Sequence, residues 1–175
     1  MGNPFYSELG FSLIEIADIS KVVGLTATIV GALFGGWMVK RLGIMKSLLW
    51  CGVLQLVSNL MFVLLARAGH DMPLFAATIL MENLSGGMGT AAFVAYLSSL
   101  CNIAYTATQY ALLSSFMAFG RTILSSSGGW MADKMSWELF FLATALAALP
   151  GLLLLGWMMK KFPPGKTIQT INAVD

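Results

Sequence analysis

A chain of 175 residues with 58% hydrophobic and only 10% charged residues, and a mean hydropathy of +0.80, cannot cover a soluble globule with polar surface. Its formal net charge of +2 comes without a basic run, which leaves no electrostatic footprint for a nucleic acid. Cys51 and Cys101 stand too far apart for metal-ligand spacing and read as small apolar fillers.

Residues 1–11 carry neither a basic n-region nor a cleavable apolar core and are expected as an outer-side N-terminal segment. A capping box, Ser12 with Glu15, opens the first of five predicted membrane spans, over about 12–39. The others cover about 47–66, 74–100, 106–132 and 137–159. Short connectors force neighbouring spans to run antiparallel. Pro163, Pro164 and Gly165 end the bundle (12–162) and begin a short tail at 163–175. The fold class is therefore all-α, a polytopic membrane helical bundle.

Lys40, Arg41, Lys46, Lys160, Lys161 and Lys166 fall on one side, against Arg67 and Lys134 on the other. This bias places the 40–46 loop and the C-terminus in the cytoplasm and the N-terminus outside. An odd number of spans with an outside N-terminus reads as part of a longer permease.

Polarity sorts the spans. The second and fifth lack internal charge and read as lipid-facing scaffold, with a kink expected at Pro150. In the first, Gly24, Thr28, Gly31 and Gly35 line one face, a close-packing stripe. In the third, Glu82 lies inside an apolar run, where a carboxylate costs several kcal/mol unless it faces protein or water. Gly86 and Gly89 follow it on the same helical face and are further packing candidates. In the fourth, Ser114, Ala118, Arg121, Ser125 and Gly128 form a comparable stripe. Counting residues from the outer helix ends puts Glu82 and Arg121 within about 4–5 Å in depth. They are expected as a charge pair or as two walls of one polar cavity, for proton coupling or a polar substrate. A purely structural ion pair is the alternative.

Asn83 and Gln109 are further cavity candidates, and Lys21, with Glu15 and Asp18, marks either a solvated helix end or an outer binding site. No nucleophile–base pair, phosphate loop or metal cluster is legible, so neither an enzyme nor a cofactor is expected.

The segment 36–46, with Gly36, Arg41, Gly43 and Lys46, resembles the G-x-x-x-D-R-x-G-x-x-K loop of the major facilitator superfamily, although Lys40 stands where that motif has Asp. More specifically, K-x-x-G-L-x-A-T-I-V-G-A-L-x-G-G at 21–36, E-N-L-x-G-G-M-G-T-x-A-F-V-A at 82–95, S-x-L-C-N at 98–102, A-T-Q-Y-A-L-L-S at 107–114 and G-R at 120–121 resemble the AmpG-type muropeptide permeases. The resemblance implies that the five spans correspond to helices 8–12 of a facilitator, of which 8, 10 and 11 line the central cavity. It implies proton-coupled import of anhydromuropeptides across the bacterial inner membrane for peptidoglycan recycling. Arg121 and Lys21 would suit the substrate's carboxylates, and a missing N-terminal transporter half would supply the opposite wall. The competing expectations are a small integral membrane interaction or assembly protein and a facilitator for another solute such as acetyl-CoA.

Overall fold

A computed structural model describes residues 2–101, 106–134 and 136–161, with the side chains of 2–4, 106 and 124–134 outside the description. The expected tail at 163–175 and the side chains of Ser125, Gly128 and Lys134 therefore lie outside the described residues. Seven α-helices follow in order: α1 Gly2–Glu8, α2 Leu13–Asp18, α3 Leu25–Leu42, α4 Ile44–Ala68, α5 Met72–Leu100, α6 Thr106–Lys134 and α7 Trp137–Lys161. A π-helical turn, Ile19–Gly24, joins α2 to α3, so Leu13–Leu42 forms one 30-residue rod.

Local chemistry sets the ends. Ser12 caps α2 with both halves of its capping box: its Oγ accepts from the Glu15 N–H at 3.2 Å, and Glu15 Oε2 accepts from the Ser12 N–H at 2.8 Å. Gly43 (φ 84°) and Gly69 (φ 73°) stop α3 and α4 in a region that a Cβ disfavours. Asp71 Oδ1 accepts from the Leu74 N–H at 3.0 Å and caps α5, with Pro73 in its first turn. α7 continues as helix through Pro150.

The rod Leu13–Leu42, α4 and α7 are long and apolar enough to cross a membrane by length and composition. The helices α5 and α6 are 29 residues each, longer than α4 and α7 at 25. They carry the polar cavity residues, which lowers their hydropathy rather than their reach.

Packing in lipid depends on close backbone approach more than on apolar burial. α3 lies along α5, and α4 is held between α5 and α7. Gly31 and Gly35 of α3 meet α5 backbone: a Cβ would stand 2.3 Å from the Leu84 carbonyl oxygen or 2.7 Å from Met88 Cα. The reciprocal residue on α5 is Gly87, where a Cβ would fall 2.3 Å from the Thr28 carbonyl oxygen. Gly86 and Gly89 do not serve this seam. A Cβ at Gly86 would meet nothing within 4 Å, and one at Gly89 only Cys51 Cβ at 3.9 Å. One residue along a helix turns the side chain by about 100°, which carries the packing role from Gly86 to Gly87. Gly24 approaches only the Asn83 side chain, at 3.2 Å.

The N-terminal segment is built into the bundle. Phe5 and Tyr6 of α1 are buried among Phe11, Ile16, Phe62, Leu65, Phe75 and Ile79 at the end where α4 stops and α5 begins. The Phe5 ring meets Phe141 edge-on at 4.9 Å, and the Trp137 Nε1–H donates to Glu8. Phe5→Ala is expected to destabilise the fold by about 3–5 kcal/mol, from the emptied, fully buried site, read as a lower unfolding midpoint in detergent. The exposed Arg67–Glu138 pair at 3.2 Å sits at the same end and contributes little.

Apolar side chains left outward form stripes: Trp50, Val53, Val57, Leu60 and Leu64 on α4, and Leu139, Leu142, Leu146, Leu149 and Leu153 on α7. Spacings of three and four place each set on one helical face, as lipid contact requires.

Candidate functional site

The carboxylate of Glu82 sits eleven positions along the 29-residue α5 and turns toward α4. Its Oε2 accepts from Gln55 Nε2 at 2.9 Å and from the Ser58 hydroxyl. Gln55 is oriented by its other end, where Oε1 accepts from Ser85 Oγ at 3.1 Å, so its N–H group faces the carboxylate. Ser58 and Ser85 are 0% and 2% exposed, and every buried side-chain N or O among the described residues has a partner. The carboxylate thus lies in a polar network inside an apolar helix pair, which is how a buried charge is tolerated.

This network opens onto a cavity of about 550 Å³ between α4, α5 and α6. Glu82, Gln55, Ser85, Thr90, Tyr110, Ser114 and Arg121 supply its polar lining. Gly86 and Gly89 also line it, so the face expected for Glu82 and its two glycines is the cavity face. Arg121 shares that wall, yet it makes no ion pair with Glu82 among the described residues. The charge pair that sequence allowed is not closed; α4 supplies the carboxylate's partners instead. Gln55 and Ser58 are three apart on one face of a helix whose absence of internal charge suggested lipid scaffold throughout.

A carboxylate accepts from both Gln55 and Ser58, whereas a protonated Glu82 can donate to Ser58, whose hydroxyl serves either way. Gln55→Leu leaves Ser85 and the Glu82 carboxylate each short of one partner. It is expected to cost about 1.5–3 kcal/mol of stability, the range for a hydrogen bond to a charged group, measurable by thermal melting in detergent.

At the end where α4 stops and α5 begins, Tyr6 is 6% exposed and meets Phe75 edge-on at 4.8 Å. Burial pushes its phenol well above the ordinary range, and the nearby Glu82 charge adds to the effect. Tyr6 therefore stays neutral within its aromatic cluster.

The remaining candidates separate. Asn83 turns to α3, where its Oδ1 meets Thr28 Oγ1 at 3.2 Å, and it lines a second recess with Lys21. Gln109 lies exposed on α6 and does not line these cavities. In the 36–46 loop, Gly43 makes the turn and the Arg41 guanidinium sits 6.0 Å from the Trp37 ring centroid. Neither Lys40 nor Arg41 forms an ion pair among the described residues, in keeping with the absence of the motif's Asp.

Comparison with known proteins adds a lineage. The family model described as Major Facilitator Superfamily matches residues 2–172. The anhydromuropeptide permease of Escherichia coli (strain K12) is 44% identical over 147 residues, which cover 84% of this chain and 30% of that protein. Putative transporter AmpG 1 of Rickettsia prowazekii (strain Madrid E) is 39% identical over 155 residues, 89% of this chain and 35% of that one. Putative transporter AmpG 4 of Rickettsia felis is 38% identical over 164 residues, 92% of this chain and 39% of that one. The chain thus spans 30–39% of the length of these relatives.

Proposed function

This chain belongs to the Major Facilitator Superfamily, and from that premise we propose that it forms part of a secondary transporter that imports anhydromuropeptides together with protons. It is a multi-pass membrane protein, and we place it in the bacterial inner membrane with its C-terminus in the cytoplasm. The observation that carries the reading is Glu82: a carboxylate midway along a membrane-length helix, held by Gln55 and Ser58, at the edge of a cavity that also holds Arg121. An ionisable group at that depth is retained for a pathway more readily than for packing. Similarity to the Escherichia coli permease supports the choice of substrate.

In this reading Glu82 takes a proton from the outer side and releases it inward as the helices rock. Arg121 faces the substrate's negative groups across the cavity, where a guanidinium can bind a carboxylate with two hydrogen bonds. The cavity seen here is one wall, and a second transporter half of the kind its longer relatives have room for supplies the other.

The test is uptake of radiolabelled anhydromuropeptide by cells without their own permease, which receive this chain joined to the part of the Escherichia coli relative it does not match. Accumulation above vector supports the assignment. Membrane-inserted protein that accumulates none of the sugar peptide, yet transports another solute, replaces it.

A further inference from the structure

A second face of α5, turned by about 100° from Glu82, carries a site of its own. A recess of about 370 Å³ at the seam of α3 and α5 is lined by Ser20, Lys21, Gly24, Leu25, Thr28 and Asn83. None of these lines the Glu82 cavity. We propose that this recess is a carboxylate-binding site, in which Lys21 supplies the charge and the Asn83 amide N–H, oriented through Thr28, the directional hydrogen bond.

Three features point there. Lys21 lies within the π-helical turn Ile19–Gly24, and π turns inside α-helical rods concentrate at functional positions because they re-aim side chains. Lys21 is eight residues beyond Leu13, about 12 Å along the rod, and Asn83 is eleven beyond Met72 on α5. A cation within a membrane-length rod is stabilised by an anion or by water. Finally, the polar groups are partly spent. Asn83 Nδ2 gives one proton to the Ile79 carbonyl at 2.8 Å and keeps a second. Its Oδ1 is held by Thr28 Oγ1, so the amide is oriented with its N–H side available. Lys21 has no ion pair among the described residues.

An ammonium beside an oriented amide N–H matches the two oxygens of a carboxylate. Gly24 keeps the floor open, since a Cβ there would press on Asn83 Nδ2 at 3.2 Å. Resting on the transport reading, the natural occupant is a carboxylate of the muropeptide's peptide stem. Substrate and proton would then use two different faces of one helix, with α5 as the element that both bias.

The experiment uses the full chain in phosphatidylcholine nanodiscs and follows acylation of each lysine by mass spectrometry, with Lys40, Lys46 and Lys160 as internal references. The probes are alanyl-glutamate and its diamide at saturating concentration. Alanyl-glutamate is expected to slow Lys21 acylation by at least about tenfold, the diamide not at all, from one charge-assisted contact. Thr28→Val and Asn83→Leu, on separate helices, are each expected to weaken that protection by about tenfold. Equal Lys21 acylation with and without alanyl-glutamate overturns the site, even where anhydromuropeptide uptake persists. Protection of Lys21 in a protein that moves no anhydromuropeptide leaves the site standing and removes only the transport assignment.

Discussion

Gly87→Ala is expected to separate α3 from α5, while Gly86→Ala, one residue earlier, leaves the fold intact. The added methyl at Gly87 would fall 2.3 Å from the Thr28 carbonyl oxygen and 3.0 Å from the Ala32 nitrogen, both backbone atoms that no rotamer change can clear. Overpacking of this kind costs about 1–3 kcal/mol or more. Nothing stands within 4 Å of the same methyl at Gly86, and exchanging a helical glycine for alanine there favours the helix by about 1 kcal/mol. Gly31→Ala, opposed to the Leu84 carbonyl oxygen at 2.3 Å, should reproduce the Gly87 loss from the other side of the seam. Unfolding midpoints of the three variants in one detergent check the ordering. Equal midpoints for the Gly86 and Gly87 variants would mean that α3 and α5 do not meet through these glycines.

Glu82→Gln is expected to abolish concentrative uptake but not exchange. The substitution keeps the shape of the side chain and an oxygen for Ser58 and Gln55, so the helix pair should hold. It removes the one ionisable side chain among Glu82, Gln55, Ser58 and Ser85. Each coupled proton crossing a driving force of 100 mV is worth about 2.3 kcal/mol, roughly a 50-fold concentration ratio. That accumulation should disappear, while labelled substrate still exchanges against unlabelled substrate at equal concentrations. Loss of both activities together would assign Glu82 to binding or folding instead.

Much of this was legible in the residues because it is local. The Ser12–Glu15 box depends on a few neighbouring atoms, and it appears as the start of α2. The glycine stripe on α3 is readable because its period is that of one helix, and Gly31 and Gly35 do meet α5 backbone. Glu82 and Arg121 were matched in depth by counting along two helices, and they share one cavity.

What escaped depends on rotation and on contacts distant in sequence. Choosing between Gly86 and Gly87 requires the azimuth of α5 against α3, which residue counting cannot supply. Gln55 and Ser58 sit in a helix with no charge between Lys46 and Arg67, so their engagement with a carboxylate 24–27 positions later had no local signal. The docking of α1 rests on Phe5, Tyr6 and Phe11 meeting Phe62, Phe75 and Trp137, which lie 50 to 130 positions away in the chain. The π turn at Lys21 likewise follows from how the rod seats on α5 rather than from the propensity of I-S-K-V-V-G.

The two faces of α5 give the molecule its functional logic. One presents Glu82 to α4 and the α6-lined cavity; the other presents Asn83 to the π turn. Small residues join α5 to α3 tightly enough that a shift of either helix is felt by both.

The central claim is that protons move with substrate through Glu82, and the most direct measurement is internal pH in vesicles. The chain, joined to the complementary part of its Escherichia coli relative, is reconstituted with a trapped pH indicator, and anhydromuropeptide is added outside with no imposed gradient. Internal acidification that follows the substrate and vanishes in the Glu82→Gln variant is the predicted result. Substrate entry with no accompanying proton movement, or acidification unchanged by Glu82→Gln, would contradict it.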